Sequence, residues 1–489
     1  MRKGWYGLGA ALCVLVMVVV TRAAQFDSRQ IVVAHEAPSV IDTAGAAQRL
    51  SRALQFRTVT QRDPADLDSA AYLGLHRHLQ QSYPRVHATL ERTMVSGLSA
   101  LYTWRGQDSS LAPVVLMAHT DVVPVEAGTD SAWTHPPYSG ALADGYVWGR
   151  GALDDKASAI AMLEAVEQLI AEGMQPRRTV HLALGHDEEV GGARGARAMA
   201  ERIAQGGVRP ALVLDEGGAI TDGALPRMGR PVALVGVAEK GYLSIEIVAE
   251  GRGGHSAMPP DRTSVEVVSQ AVTRLGQQPL DADLSGVTGQ TFRYVAPEMG
   301  LLPRAAFANQ WLTGPLLTWG LSRDPTTNAA IRTTTAPTVI RGGVKDNVIP
   351  TRARAIVNFR VLPSQGTEAV LEHVRTTLAG LPVTITPQQN SPPTPVSAVD
   401  DVRFRLVQRA IQQITPDTVA VAPLLVPGAT DARHYAPYSD HVYRFLPFRL
   451  TPADQGRIHG TNERIATADV AAIVAYYQRV IRAMDEMQP

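Results

Sequence analysis

The chain has 489 residues, of which 45% are hydrophobic and 19% charged. This length and composition are typical of a globular protein with more than one domain, or of one large domain with an insertion. Lysine and arginine (46) balance aspartate and glutamate (46), so there is no basic surplus for binding nucleic acid. The one cysteine, Cys13, leaves no disulfide within the chain and no thiolate metal site, so a metal would need histidine and carboxylate ligands.

The N-terminus has the pattern of a targeting segment. Arg2 and Lys3 precede an apolar run that ends in VLVMVVV at Val20. Residues 1–24 are therefore predicted to be a signal peptide or a membrane anchor, and the pattern leaves both alternatives open. Residues 25–41 are predicted to form a tether. We expect the mature protein to be periplasmic, extracellular or anchored so that it faces away from the cytoplasm.

Residues 42–238 alternate between helical and strand patterns. A helix is predicted at 46–56 and another at 156–172, with apolar strands at 113–118, 179–184 and 211–214. Strands that are apolar on both faces and separated by helices predict an α/β domain with a mainly parallel sheet. We interpret this segment as the first part of a catalytic domain.

Residues 239–391 have a different pattern, in which strands alternate apolar and polar side chains. The order of elements predicts an inserted βαββαβ (ferredoxin-like) domain with one exposed sheet face. It is interrupted at about 278–334 by an insertion that contains NQWLTGPLLTWGL. This apolar helical stretch favours a core helix of the small domain, although lining for a long acyl chain or contact with a membrane stays open. From 392 to 489 the α/β pattern returns as a second catalytic part, with Thr467 as the predicted N-cap of the last helix.

Metal-type ligands follow three of the predicted strands. His119 and Asp121 follow the first, Glu188 and Glu189 in GHDEEVGG the second, and Asp215 the third. Functional groups gather at the carboxyl ends of strands in open parallel sheets. Asp154 and Asp155 stand before a helix, where they would also serve as ordinary caps, and His459 lies in RIHGTNE. Together these side chains predict a two-metal site with histidine and carboxylate ligands.

The motifs AHTDVVP, WTHPPYSGALADGYVWGRGALDDK, GHDEEVGG, LDEGG, GGHSAMPP and RIHGTNE occur in this order. In order and spacing they resemble the M20 family of zinc metallohydrolases, in the branch of carboxypeptidase S and the N-fatty-acyl amino acid synthase/hydrolase. The resemblance runs from about Ala46 to Tyr477. It implies a zinc-hydrolase catalytic domain with an inserted lid or dimerisation domain, and a cis peptide bond between Asp154 and Asp155.

The resemblance also implies a role for each site residue. Two Zn²⁺ ions would be bound, with Co²⁺ or Mn²⁺ as substitutes. His119 and Asp215 would hold one ion, Glu189 and His459 the other, and Asp154 both. Asp121 would orient the His119 imidazole. Glu188 would be the general base, taking a proton from the attacking water and giving it to the leaving nitrogen.

Three lid residues complete the implied site. His255 of GGHS would stabilise the oxyanion. In several relatives this histidine comes from the partner subunit of a dimer, so a homodimer through the lid domain stays open. Asn347 and Arg360 match substrate-binding positions, and a guanidinium fork suits a terminal carboxylate.

We therefore expect hydrolysis of the amide bond beside an amino acid with a free C-terminal carboxylate. The substrate would be a peptide or an N-acyl amino acid, including one with a long acyl chain. A deacylase of small polar N-acetyl or N-succinyl metabolites is an alternative, as is an inactive, membrane-tethered binding protein. All six metal-ligand and base positions are occupied by the required residue types, which argues against the inactive alternative.

Overall fold

A computed structural model describes residues 2–31, 33, 41–223, 228–415, 419–451 and 453–488. The helices are α1 Arg2–Ala24, α2 Thr43–Leu54, α3 Ser69–Ser82, α4 Pro84–Thr89, α5 Lys156–Ala171, α6 Ala196–Ile203, α7 Ser264–Gln277, α8 Val287–Val295, α9 Leu301–Ala308, α10 Gln310–Leu321, α11 Pro325–Ile331, α12 Gly366–Thr377, α13 Val402–Ile414 and α14 Thr467–Glu486. The strands are β1 Glu91–Val95, β2 Ser99–Trp104, β3 Val114–His119, β4 Ala141–Ala143, β5 Tyr146–Trp148, β6 Val180–Gly185, β7 Leu212–Asp215, β8 Ile220–Thr221, β9 Val232–Glu239, β10 Gly241–Glu250, β11 Gly254–His255, β12 Thr334–Gly342, β13 Val348–Ile349, β14 Arg352–Val361, β15 Val383–Ser391, β16 Ala420–Val426, β17 Val442–Arg444, β18 Arg449–Leu450 and β19 Arg464–Ala466.

The N-terminal segment is helical from Arg2 to Ala24, as α1. Among the described residues, no helix combines the length and the apolar composition needed to cross a membrane. Of the predicted tether, residues 25–41, residues 32 and 34–40 lie outside the described residues. In its described part the side chain of Gln30 accepts the N–H of Val421 at 2.7 Å and donates to its carbonyl at 3.0 Å. This end of the segment is therefore fixed against the catalytic sheet.

The catalytic domain is built on a ten-stranded mixed sheet. The strand order is β1-β2-β6-β3-β7-β17-β9-β8-β18, with β16 paired to β9. The central strands β6, β3, β7 and β17 are parallel, and antiparallel strands flank them. Val114 and Leu116 of β3 face the core beneath α5, whereas Val115 and Met117 face α6. Helices on both faces explain why these strands are apolar throughout, and the predicted α/β architecture is confirmed.

The small domain is a four-stranded antiparallel sheet in the order β12-β14-β10-β15. Strand β14 alternates strictly between buried and partly exposed residues, with Val357 and Phe359 pointing inward. Helices α7 and α12 cover that inner face, where Ala271 and Val370 join its core. The predicted βαββαβ order is therefore confirmed.

The insertion packs on the catalytic domain. Helix α8 buries Val287 and Val295 in the catalytic core, and the Thr291 hydroxyl donates to the carbonyl of Pro423 in β16 at 2.7 Å. The prediction that NQWLTGPLLTWGL is a core helix of the small domain is wrong. This stretch forms α10, none of whose residues is fully buried. Leu317 and Leu321 contact the catalytic core instead.

Helix α14 begins at Thr467, and its N-cap is Ala466. The prediction that Thr467 is the N-cap is wrong by one residue. The Thr467 hydroxyl donates to the carbonyl of Gly145 at 3.2 Å, which joins the start of α14 to the turn between β4 and β5. A tertiary hydrogen bond therefore replaces the local cap.

A buried ion pair joins the sheet to the loop that follows β16. Glu239 at the end of β9 accepts from Arg444 Nε of β17 at 2.6 Å and from the Thr430 hydroxyl at 2.8 Å. The side chains of Arg444 and Glu239 are only 1% and 2% exposed. Ala432, two residues after Thr430, donates its N–H to Asp215 at 2.8 Å. The pair thus fixes the loop that contacts one of the predicted metal ligands.

We expect Arg444→Met to lower the free energy of unfolding of the catalytic domain by about 3–5 kcal/mol, because it leaves the Glu239 carboxylate buried without its cation. Chemical denaturation followed by circular dichroism measures the change. The control is Arg209→Met, which removes one member of an exposed pair with Asp440 and should have little effect. Equal effects from both variants would contradict the importance of the buried pair.

Candidate metal centre

The sheet brings the predicted metal ligands to one edge. His119 is the last residue of β3, Asp215 is the last residue of β7, and Glu189 lies in the turn after β6. These strands are neighbours in the order β6-β3-β7, so their carboxyl ends meet. Asp154 comes from the loop before α5 and His459 from the loop before β19. The site therefore joins both predicted parts of the catalytic domain.

Asp154 lies at the centre of the cluster. One ligand atom from each of His119, Asp154 and Glu189 lies within 4.8 Å of the others. Asp154 Oδ1 is 2.8 Å from His119 Nε2, and Asp154 Oδ2 is 3.0 Å from His459 Nε2. His459 Nε2 is also 3.2 Å from Glu189 Oε2. The two oxygens of one carboxylate thus face two different imidazoles, which is the placement that a bridging ligand requires.

The donor set fits divalent metal ions. Glu189 Oε1 is buried and has no hydrogen-bond partner among the described residues. An unpartnered buried carboxylate oxygen is costly, and a cation at this place would remove the cost. Imidazole nitrogens and carboxylate oxygens suit zinc, cobalt and manganese. The cluster therefore has both the geometry and the chemistry of a metal centre.

Asp215 is close to the cluster but does not belong to the three-residue group. It is buried, and its Oδ2 accepts the N–H of Ala432 at 2.8 Å. Burial raises the pKa of Asp215, and the neighbouring Arg444 and His119 oppose that rise. Negative charge on both Asp215 and Asp154 is unfavourable at close range, and a bound cation would offset it.

The GHDEEVGG turn holds its three acidic side chains in three different ways. Asp187 accepts the N–H groups of Arg194 and Gly195, each at 2.8 Å, so it closes the turn. Glu189 points toward His459. Glu188 makes no side-chain hydrogen bond or ion pair in the part of the chain that the structure describes. Burial raises the pKa of Glu188 well above the ordinary value, and the carboxylates of Asp431 and Glu189 add to the rise.

Asp121 connects the ends of β3 and β6. It is fully buried, and its two oxygens accept the N–H groups of Glu188 at 3.2 Å and Glu189 at 3.1 Å. Its Oδ1 lies 3.4 Å from His119 Nδ1, whose nearest acceptor is the Asp121 carbonyl at 3.1 Å. Asp121 therefore orients both the imidazole and the turn that carries the two glutamates.

Glu463 is a buried carboxylate to which the sequence analysis gave no role. Its Oε1 accepts the N–H groups of Leu153 at 2.8 Å and Asp154 at 3.2 Å. Its Oε2 accepts from Arg150 Nη1 at 2.6 Å and from the N–H of Gly151 at 3.0 Å. Arg150 Nη2 in turn donates to the carbonyl of His459 at 2.9 Å. Glu463 and Arg150 thus fix the loop of Asp154 against the loop of His459.

Glu463 lies within RIHGTNE, four residues after His459. That motif was the only sequence signal for Glu463, because an acidic residue in a polar turn is ordinarily solvated.

Glu216, which follows Asp215, was also given no role. Burial raises its pKa well above the ordinary value, and the carboxylates of Asp154 and Asp215 contribute to that rise. The peptide bond between Asp154 and Asp155 is cis.

The lid residues lie apart from the cluster. His255 is exposed on β11, which pairs with β13 next to Asn347, and the Asn347 carbonyl accepts the N–H of Ser256 at 3.2 Å. Arg360 is on β14, with its guanidinium carbon 4.8 Å from the centre of the Tyr242 ring. Within the described residues, no hydrogen bond or ion pair joins these side chains to His119, Asp154 or Glu189. The structure thus brings the metal-type ligands together, but not the lid residues.

We expect Glu463→Gln to weaken metal binding by about 10–100-fold, because an amide cannot accept all four hydrogen bonds that hold the Asp154 loop. Competition with a chromophoric chelator measures the affinity. Glu91→Gln is the matched control, since Glu91 pairs with Arg105 at the exposed edge of the sheet. Unchanged affinity in Glu463→Gln would show that the Asp154 loop is held in place by other contacts.

Comparison with known sequences gives one family. Residues 115–483 match the profile of Peptidase family M20/M25/M40. The "Probable carboxypeptidase S-like 2" of Dictyostelium discoideum is 37% identical over 96% of this chain and 92% of its own length. The "N-fatty-acyl-amino acid synthase/hydrolase PM20D1" of Homo sapiens is 36% identical over 90% of this chain and 88% of its own length. The resemblance inferred from the motifs is confirmed.

Solved structures share the fold at low sequence identity. An M20 family metallo-carboxypeptidase, Sso-CP2 from Sulfolobus solfataricus, superposes with a TM-score of 0.65 at 16% identity, over 90% of this chain and 99% of that one. Human carnosine dipeptidase 1 superposes with a TM-score of 0.59 at 16% identity, over 91% and 97%. With the sequence match over most of its length, this chain belongs to the M20 peptidase family of metal-dependent carboxypeptidases and amidohydrolases.

Proposed function

We propose that this chain is a dizinc hydrolase of the amide bond beside an amino acid with a free C-terminal carboxylate. The observation that carries the proposal is the position of Asp154, whose two oxygens face the His119 and His459 imidazoles separately. His119 with Asp215 would hold one ion, Glu189 with His459 the other, and Asp154 both. When bound, two zinc ions supply Lewis acidity toward the substrate carbonyl and lower the pKa of water.

Glu188 is the general base of this proposal. Its carboxyl group is the one in the GHDEEVGG turn without a hydrogen bond or ion pair from the described side chains. It would take a proton from the attacking water, whose oxygen bonds to the amide carbon. The same proton would pass to the nitrogen as the carbon–nitrogen bond breaks, which yields a free acid and a free amine. A raised pKa suits both the accepting and the donating role.

The lid would supply substrate recognition. The Arg360 side chain makes no hydrogen bond or ion pair with the described residues, so its guanidinium fork is available for a substrate carboxylate. Its stacking on Tyr242 holds the fork in place without using its N–H groups. His255 and Asn347 share one β-ribbon, and we assign them to the oxyanion and to the substrate carbonyl. They would reach the centre by lid closure or from the partner subunit of a dimer.

The acyl group of the substrate determines which amide the site would cleave. Relatives that align over most of this chain are named either as a carboxypeptidase S-like protein or as an N-fatty-acyl-amino acid synthase/hydrolase. We favour an N-acyl amino acid or peptide with an apolar acyl part. Because Arg2 and Lys3 begin helix α1, ahead of its apolar run, we place the reaction outside the cytoplasm.

The test is hydrolysis of a mixture by the zinc-loaded full chain, followed by mass spectrometry. The mixture holds N-long-chain-acyl amino acids, N-acetyl amino acids and dipeptides with free C-termini. We expect Glu188→Gln to lower kcat by about 10²–10⁴-fold while two equivalents of metal stay bound, because it removes the base but no ligand. Asp154→Asn should reduce the bound metal as well as activity.

The possible outcomes distinguish the alternatives. Cleavage of the long-chain amides or of dipeptides supports the proposal and fixes the acyl preference. Cleavage of N-acetyl amino acids only would indicate a deacylase of polar metabolites. Metal binding without cleavage of any substrate would support the inactive binding protein. Full turnover by Glu188→Gln would remove Glu188 from the role of base.

Metal loading should release protons. Hydrogen bonds to Asp154 and Glu189 raise the pKa of His459 to about 10. A group with a raised pKa keeps its proton below that value, so the metal-free centre holds a protonated His459 at pH 8. A histidine ligand must be neutral, so zinc has to displace this proton, and its affinity should rise with pH up to about 10.

Calorimetric titration of zinc at pH 8, in two buffers with different ionisation enthalpies, measures the number of protons released. We expect at least one per chain, and His459→Ala should release fewer. Equal heats in both buffers would show that His459 is already neutral in the metal-free chain.

A further inference from the structure

Helix α10 presents an apolar face to solvent. Its exposed residues fall at the helical spacing of one face and are Trp311, Leu312, Pro315, Leu316, Trp319 and Gly320. Trp311 and Trp319 are each 55% exposed and Leu316 is 65% exposed. On an ordinary surface helix the apolar side faces the core and the polar side faces water. Here Leu317 and Leu321 contact the core, and the outer face is apolar as well.

Helix α1 packs on α9, which also contacts α10, and α1 is itself exposed. It contacts the insertion through α9, where Asn309 donates to the Val19 carbonyl at 3.1 Å and Arg304 to the Phe26 carbonyl at 2.9 Å. One narrow stripe of α1, with residues four apart, is partly covered and consists of Leu15, Val19 and Ala23. Leu12 and Met17 on the other sides are 59% and 67% exposed. A helix that is apolar on nearly every side needs an apolar environment.

We propose that the outer face of α10, together with α1, docks on a phospholipid bilayer surface. The segments α1, α9 and α10 contain no acidic residue, whereas Arg22 and Arg304 lie on α1 and α9. The Arg323 guanidinium lies 3.5 Å from the centre of the Trp319 ring, just beyond the end of α10. Exposed tryptophans with arginines at their border suit the boundary between acyl chains and anionic headgroups.

The same features disfavour a second copy of the chain as the occupant. A two-fold interface places each patch against its own equivalent. Cations on α1 and α9 would then face cations, and these helices have no carboxylate to neutralise them. A lipid surface accepts both the apolar area and the positive charge. The proposal is independent of the proposed catalytic function, since none of these residues belongs to the metal centre.

The single cysteine makes the test simple. In a Cys13→Ser background, Leu316→Cys carries a polarity-sensitive fluorophore on the outer face of α10. Glu372→Cys carries the same fluorophore on the exposed side of α12 as the control. The full chain is mixed with vesicles of phosphatidylcholine and phosphatidylglycerol, with and without spin-labelled acyl chains. We expect a blue shift and quenching at position 316 and neither at position 372.

A second measurement uses the partition of unlabelled chain between vesicles and buffer. We expect Trp311→Ser with Trp319→Ser to weaken partition at least about tenfold, because two large apolar side chains leave the lipid. The control pair Leu73→Ser with Val402→Ser removes exposed apolar side chains elsewhere and should leave partition unchanged. Glu188→Gln should bind vesicles like the parent, so failure of the catalytic proposal would not affect this result.

Two outcomes would overturn the proposal. If the chain binds vesicles while the fluorophore at 316 stays in water, α1 alone holds the membrane and the α10 face does not contribute. If the fluorophore shifts without lipid, and more so at higher protein concentration, a second copy covers this face.

Discussion

The contacts of Asp154 hold together two parts of the chain that are about 300 residues apart. Its carboxylate pairs with His119 from the first catalytic segment and with His459 from the last. Loop closure over so many residues costs conformational entropy, which must be offset by contacts made elsewhere. Glu463 and Arg150 provide such contacts, because they hydrogen-bond the Asp154 loop to the His459 loop. The geometry of the centre therefore depends on a buried ion pair that contacts the backbone of Asp154 and His459, and not their side chains.

The concentration of carboxylates explains why the centre needs cations. Burial and mutual repulsion raise the pKa of Glu188, Glu216 and Asp431 well above their ordinary values. Without a bound cation, keeping these buried carboxyl groups ionised is unfavourable. The positive charge of bound metal ions would offset the cost of these buried carboxylates. The electric field of the same ions would favour the negative charge that develops on a substrate oxygen. In the proposed function, the electrostatic cost of the metal-free centre and the reactivity of the metal-loaded centre would thus have one origin.

Much of this architecture was predictable from the sequence, since its signals are local. The apolar runs that became β3, β6 and β7 predicted a parallel sheet, and the ligands at their ends followed from that topology. The alternation in β14 predicted the small domain. The buried partners were not predictable in this way. Glu239 and Arg444 are 205 residues apart, and although apolar residues flank both, nothing in the sequence pairs one with the other.

Helix α10 shows the limit of a periodicity argument. The spacing of its apolar residues indicates a helix, but it does not determine which face is covered. The sequence favoured a core helix because both sides are apolar, and burial was the ordinary explanation. In the fold, one side contacts the catalytic core through Leu317 and Leu321, and the residues of the other side are exposed. A lipid partner resolves the conflict, since it lets both faces of the helix be apolar while the chain itself buries only one.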